Sequence, residues 1–166
     1  MTYSIVFSSR TGNTKMLADT IREMLPQDAC VYFGAPDDAA LEADRIYAGF
    51  WTDKGSCDAD SAAFLRKIDS QEVFLFGTAG FGESQEYFDK VLKRVQKNLG
   101  KNVRLAGGFM CQGKMPMTVR ERYEKMQKSP VPVPNVKGLI ENFDKALSHP
   151  DQQDLEHLQA AVRAVN

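Results

Sequence analysis

The segment Ser8-Ser9-Arg10-Thr11-Gly12-Asn13-Thr14 follows directly on a short apolar run, Tyr3 to Phe7. The run reads as a buried strand. Residues 14–25 carry Leu17, Ile21 and Leu25 at helical spacing, and Pro26 follows the stop. A strand that passes through one loop of hydroxyls and a glycine into a helix commits the chain to a β–α unit. It also prepares an anion site. The first N–H groups of a helix have no intrahelical acceptor, and the helix dipole favours negative charge beside them. Ser9, Thr11 and Thr14 add hydroxyl donors, Gly12 admits a close backbone approach, and Arg10 offers a charge. An ordinary helix cap explains less, because hydroxyls lie on both sides of Gly12.

The alternation continues through two thirds of the chain. Residues 29–33, 45–50, 73–77 and 103–110 are further strand candidates. Most lack strict alternation, as expected of parallel strands covered on both faces. A helix is expected over 60–68 and another over 84–99. In the second, Phe88, Val91, Leu92, Val95 and Leu99 form one stripe, with Ser84 to cap it and Gly100 to end it. Residues 36–43 give only a weak helical pattern. The sum is a doubly wound α/β sheet of five parallel strands with helices on both faces.

The last third is less regular. Residues 118–126 can form a polar helix, with Thr118 and Glu121 at capping-box spacing. Pro130, Pro132 and Pro134 then impose an extended piece. Leu139, Ile140, Phe143 and Leu147 mark a short amphipathic helix, and Leu155, Leu158, Val162 and Val165 mark a final one. At 166 residues, 43% of them apolar, the chain is expected to form one domain. A net charge of −1 argues against nucleic acid or an acidic membrane surface, and no apolar stretch approaches a membrane span. The three cysteines, Cys30, Cys57 and Cys111, form no C-x-x-C pair and read as reduced thiols of a cytoplasmic protein.

Ligands of doubly wound sheets bind outside the C-terminal ends of the strands. Three loops should therefore converge: Ser9–Thr14, Gly49-Phe50-Trp51-Thr52-Asp53-Lys54-Gly55, and Gly77-Thr78-Ala79-Gly80-Phe81-Gly82-Glu83. One suits a phosphate, and the other two are glycine-rich with an aromatic each. A flat aromatic ligand with a phosphate tail fits them, its rings against Trp51 and Phe81 and its polar edge on loop amides.

These three segments, in this order and each after its strand, resemble the flavin loops of flavodoxins. Ser9-Arg10-Thr11-Gly12-Asn13-Thr14 is similar to the family's phosphate loop. Phe50-Trp51-Thr52-Asp53-Lys54-Gly55 is similar to its second loop, and Thr78-Ala79-Gly80-Phe81-Gly82 to its third. The resemblance covers residues 1–111 and the final helix. It implies a flavodoxin-like sheet of strand order 2-1-3-4-5, non-covalent FMN, and low-potential single-electron transfer between protein redox partners, a reductase donor and an acceptor enzyme. It also implies a monomer. An extra segment at about 112–150 follows strand five and would flank the site. Lys54 stands where many relatives carry acidic residues, so it should ease addition of the second electron to the flavin.

Other readings stay open. Ser8 and Arg10 overlap the Ser-x-Arg pattern of NAD(P)H-dependent FMN or quinone reductases on this fold. Some flavodoxin-like proteins of anaerobes accompany flavoenzyme reductases that act on tetrapyrroles. A non-redox phosphate ligand is a further alternative. Cys57 and Cys111 read as packed thiols, Asp58 as a helix cap, and His149 and His157 as remote from any ligand set, so no metal is expected. The cationic run Lys90, Lys93, Arg94, Lys97 and Lys101 reads as a solvated helix face, with an acidic partner as the sharper alternative.

Overall fold

The computed structural model describes residues 1–82 and 84–166. Glu83, the last residue of the third loop, lies outside the described residues. Strands β1 (Tyr3–Phe7), β2 (Cys30–Gly34), β3 (Arg45–Asp53), β4 (Ser56–Cys57), β5 (Glu72–Ala79) and β6 (Arg104–Gln112) alternate with helices α1 (Asn13–Met24), α2 (Ala59–Leu65), α3 (Gln85–Gln96), α4 (Met117–Gln127), α5 (Val136–Ala146) and α6 (Gln152–Arg163). The path across the sheet is β2-β1-β3-β5-β6, all parallel. This is the expected doubly wound order. The two-residue β4 was not expected. It folds back antiparallel on β3, pairing Thr52 with Cys57 and Asp53 with Ser56.

Strand alternation sorts the core into two layers. Tyr3 and Ile5 of β1, Tyr47 of β3, and Phe74 and Phe76 of β5 meet Leu17, Ile21, Leu158 and Val162 of α1 and α6. Their neighbours Val6, Ile46, Ala48, Phe50, Val73 and Leu75 meet Phe64, Leu65, Phe88, Val91 and Val95 of α2 and α3. Both faces are covered, which is why the strands read as continuous apolar runs. At about 25 cal/mol per Å² of apolar area, each of these large side chains contributes roughly 1.5–3 kcal/mol.

The strands run longer than the apolar runs. β3 continues through Trp51, Thr52 and Asp53, and β5 through Thr78 and Ala79, because Trp51 pairs with Thr78, Thr52 and Asp53 pair with β4, and Ala79 pairs with Gln112 of β6. The weak pattern at 36–43 is a short 3₁₀ turn, Asp38–Glu42. Ser84 caps α3 by accepting from the Tyr87 N–H at 3.1 Å. The expected Thr118–Glu121 capping box does not form. α4 begins at Met117 with Pro116 at its cap position, so Thr118 already lies inside the first turn. α4 and α5 pack on each other, pinned by Arg120, which reaches Asp144 of α5 at 3.0 Å and Glu124 of its own helix. No helix among the described residues is long and apolar enough to cross a membrane.

Candidate functional site

The C-terminal ends of β1, β3, β5 and β6 lie side by side, with Phe7 opposite Gly49, Trp51 opposite Thr78, and Thr78 opposite Cys111. The loops that leave these ends surround one open cleft of about 290 Å³. Arg10, Thr11 and Asn13 line it from the first loop, Trp51, Thr52, Lys54 and Gly55 from the second, and Thr78, Ala79, Gly80 and Phe81 from the third. The three expected loops therefore converge. Ser9, Gly12, Thr14, Phe50, Asp53 and Gly82 do not line the cleft.

In the first loop, Gly12 adopts φ 87°, a left-handed turn that launches α1, and a Cβ there would meet only open space. The Met16 N–H returns to the Gly12 carbonyl at 3.0 Å, and the Lys15 N–H reaches Ser9 Oγ at 3.3 Å. The N–H groups of Asn13 and Thr14 have no intrahelical carbonyl to meet. Asn13 is 5% exposed, and its Nδ2 donates to the Lys114 carbonyl at 2.9 Å. Its Oδ1 is buried with no partner. Thr14 requires a correction. Its hydroxyl points into the sheet and donates to the Phe50 carbonyl at 3.2 Å, so the Thr78 hydroxyl, 3.3 Å away, is the donor to it. Its single proton is spent there, which leaves the backbone N–H as the donor Thr14 has to offer at the start of α1. Phe50 is corrected likewise: its ring is in the core, and it does not line the cleft.

The second loop is a tight hairpin. Lys54 and Gly55 adopt φ 50° and 81°, the paired left-handed residues of a two-residue β-turn. Trp51 is fixed from behind. Its N–H donates to Asp58 Oδ1 at 3.3 Å, and its carbonyl accepts from the Asp58 N–H at 3.1 Å. The same buried carboxylate caps α2 through the Ser61 N–H at 3.2 Å. The Arg10 guanidinium lies 5.5 Å from the Trp51 ring centre. Thr52 Oγ1 is likewise buried without a hydrogen-bond partner.

In the third loop the Gly80 carbonyl accepts from Gln112 Nε2 at 2.9 Å and Asn142 Nδ2 at 3.0 Å. Phe81 is 45% exposed at the mouth. Tyr87, the first-turn residue of α3, also lines the cleft. Burial pushes its phenol above the ordinary value while Arg94 pulls it down, so it is a neutral hydroxyl at physiological pH.

The segment after β6, expected to flank the site, supplies a fourth wall whose residues the sequence did not single out. Gly113, Lys114, Met115, Pro116 and Val119 line the cleft from the loop after β6 and the start of α4. The Gly113 N–H donates to the Ala79 carbonyl and the Lys114 N–H to the His149 carbonyl, each at 2.9 Å. The rule that placed three loops at the strand ends applies equally to this one. Its residues carry neither the hydroxyls nor the paired glycines that drew attention elsewhere. His149, Asp151 and Asp154 cluster at the start of α6, but Asp151 and Asp154 form its capping box, and Asp154 Oδ2 lies 2.6 Å from His149 Nδ1. All three cysteines are free thiols.

A doubly wound sheet whose strand ends hold an aromatic-walled cleft fits a flavin-nucleotide protein. The chain belongs to the flavodoxin family: its sequence matches the flavodoxin domain over residues 4–163. It is accordingly an FMN-binding protein of the electron-transfer kind. It is similar to the flavodoxin-like domain-containing protein BilS of Clostridium symbiosum, 39% identical over 96% of this chain and 93% of that protein. BilS of Clostridioides difficile is 29% identical over 91% and 88%. Among solved structures, a short-chain flavodoxin associated with a non-canonical PDU bacterial microcompartment superposes with a TM-score of 0.62 at 13% identity, covering 99% of this chain and 96% of that one. Oxidised Flavodoxin 2 from Bacillus cereus gives 0.56 at 16% identity, covering 99% and 97%.

Proposed function

We propose that this protein holds FMN in the four-loop cleft and carries single electrons at low potential from a reductase to an acceptor enzyme. The observation that supports this reading is the convergence of the three loops on one cleft at the strand ends, with Trp51 and Phe81 lining it beside Arg10, Thr11 and Asn13 at the start of α1. The donor set suits FMN. The N–H groups of Asn13 and Thr14, the hydroxyls of Ser9 and Thr11, and Arg10 would hold the phosphate around Gly12. Trp51 and Phe81 would flank the ring system. The Asp53-Lys54-Gly55 turn and the Thr78–Gly82 amides would meet its polar edge.

Bound FMN supplies the redox chemistry, and the chain's own residues orient and tune it. Asp58 fixes Trp51 through both backbone groups. Gln112 and Asn142 fix the Gly80 carbonyl. Lys54 places a positive charge at the lip, which favours a reduced, negatively charged cofactor. The Lys54→Glu variant should make the second reduction step more negative by about 60 mV, a tenfold change in a one-electron equilibrium. Potentiometric titration measures it, and an unchanged second potential rejects the role of Lys54.

The experiment for the whole reading is FMN titration of the apoprotein, followed by anaerobic photoreduction of the loaded protein. Saturable quenching of flavin fluorescence, then a long-wavelength absorbance band that rises and falls, is the expected result. Direct passage from yellow to colourless, with rapid bleaching by NADPH, would identify a two-electron reductase instead. A protein that ignores FMN sinks the reading at the phosphate nest.

A further inference from the structure

Helix α3 buries Phe88, Val91 and Val95 and turns Lys90, Lys93, Arg94 and Lys97 to solvent. Its two carboxylates sit in the first half of the helix, Glu86 against Lys90 at 3.2 Å and Asp89 against Gln85 at 2.9 Å. Beyond them, Lys93, Arg94 and Lys97 have no carboxylate partner among the described residues. Lys101 continues the exposed row past the helix end. Arg94 Nη1 donates to the Gly55 carbonyl at 3.2 Å, which joins the row to the hairpin at the lip of the cleft. The lip itself is cationic. Arg10, Lys54 and Lys114 line the cleft, and no aspartate or glutamate among the described residues does. Phe81 is exposed there, and so is Met117, the residue after Pro116, at 58%.

A net charge of −1 means that acid balances this base elsewhere. Exposed Asp37, Asp38, Glu42 and Asp44 cluster between β2 and β3, with β2 at the far edge of the sheet from β6. A cationic face of this kind orients an approaching acidic protein and changes its association rate by 10-fold or more, an effect that salt removes. An apolar centre within a charged rim is also the anatomy of a docking site.

We propose that the cleft mouth, together with the Lys93-Arg94-Lys97 face of α3, docks a redox protein whose own electron-transfer edge is ringed by carboxylates. This rests on the electron-carrier reading above and adds the chemistry of the partner. FMN's phosphate is answered at the nest by Arg10 and the α1 N-terminus. Lys54, Lys114 and the α3 row remain to meet the partner.

The test uses two protein acceptors of opposite surface charge, rubredoxin (acidic) and cytochrome c (basic). The FMN-loaded protein is photoreduced anaerobically and mixed with each by stopped flow, from about 10 to 200 mM salt. The second-order rate to rubredoxin should fall about tenfold over that range, and the rate to cytochrome c should rise. The double variant Lys93→Glu, Lys97→Glu should flatten the rubredoxin slope while FMN affinity stays unchanged. Salt slopes of the same sign for both acceptors, or a slope the double variant does not alter, overturn the docking proposal while the carrier reading stands. Failure to retain FMN, or to reduce either acceptor at any salt concentration, overturns the carrier reading and the docking proposal with it.

Discussion

Gly80 is held by two side chains from distant parts of the chain. Gln112 ends β6 and Asn142 lies in α5, and their amides are themselves joined at 3.1 Å. The carbonyl they share fixes the peptide that precedes Phe81, and with it the amides that would meet the flavin edge. Asn142→Ala leaves the Gln112 bond in place, so the fold should survive. The expected cost is about 1 kcal/mol of binding, a roughly fivefold weaker FMN Kd by fluorescence titration. An unchanged Kd would mean that the third loop is held by Gln112 alone. The Trp51–Asp58 pair follows the same logic: a buried carboxylate behind the site, not in it, decides where the aromatic stands.

The β3–β4 hairpin shows how an element sets a site. Its two turn residues both have positive φ, which Gly55 adopts without strain. A Cβ at Gly55 would also come within 2.6 Å of Arg94 Nη1. Gly55→Ala should therefore cost about 1–3 kcal/mol through left-handed strain, read as a lower urea midpoint with an unchanged slope. If stability is unchanged, the turn is not the two-residue hairpin described. α4 and α5 make a contrasting case. α4 buries only Tyr123, and the pair relies on polar contacts such as Arg120 with Asp144. Arg120 holds the Asp144 carboxyl below its usual range.

Across the molecule, the N-terminus is tied to the sheet by one carboxylate. Asp44 accepts from the Thr2 N–H at 2.7 Å and from the Thr2 hydroxyl at 3.0 Å, and these bonds lower its pKa. A lowered folded-state pKa stabilises the protein fully above the unfolded value of about 3.9, and the contribution is lost as pH falls through the folded value. The stability difference between wild type and Asp44→Asn should be constant above about pH 5 and shrink below about pH 4. Chemical denaturation at a series of pH values measures it, and a difference that is flat throughout the acid range would remove Asp44 from the linkage. At the other face of the strand start, Arg45 is 5% exposed and joins Glu72 at 2.6 Å, with Arg104 on the same carboxylate. Removing one partner of such a buried pair costs more than the pair contributes.

The β–α alternation, the glycine turn into α1 at Gly12 and the two glycine-rich loops were legible in the sequence, while the strand order came from the resemblance to flavodoxins. Each of the first three is a local pattern: an apolar run, a punctuating glycine, a helical stripe. Such patterns survive without knowledge of what they pack against. Tertiary structure decided the rest. It turned the Thr14 hydroxyl inward to the Phe50 carbonyl, extended β3 and β5 past their apolar runs, and folded β4 back on β3. It also brought Gly113–Pro116 and Val119 into the cleft as a fourth wall, and Asn142 onto Gly80 across 62 residues of sequence. A hydrogen bond between residues so far apart has no local signature, because neither partner's neighbours differ from those of an ordinary surface amide. Only closure of the sheet, which sets the strand ends side by side, makes such partners adjacent.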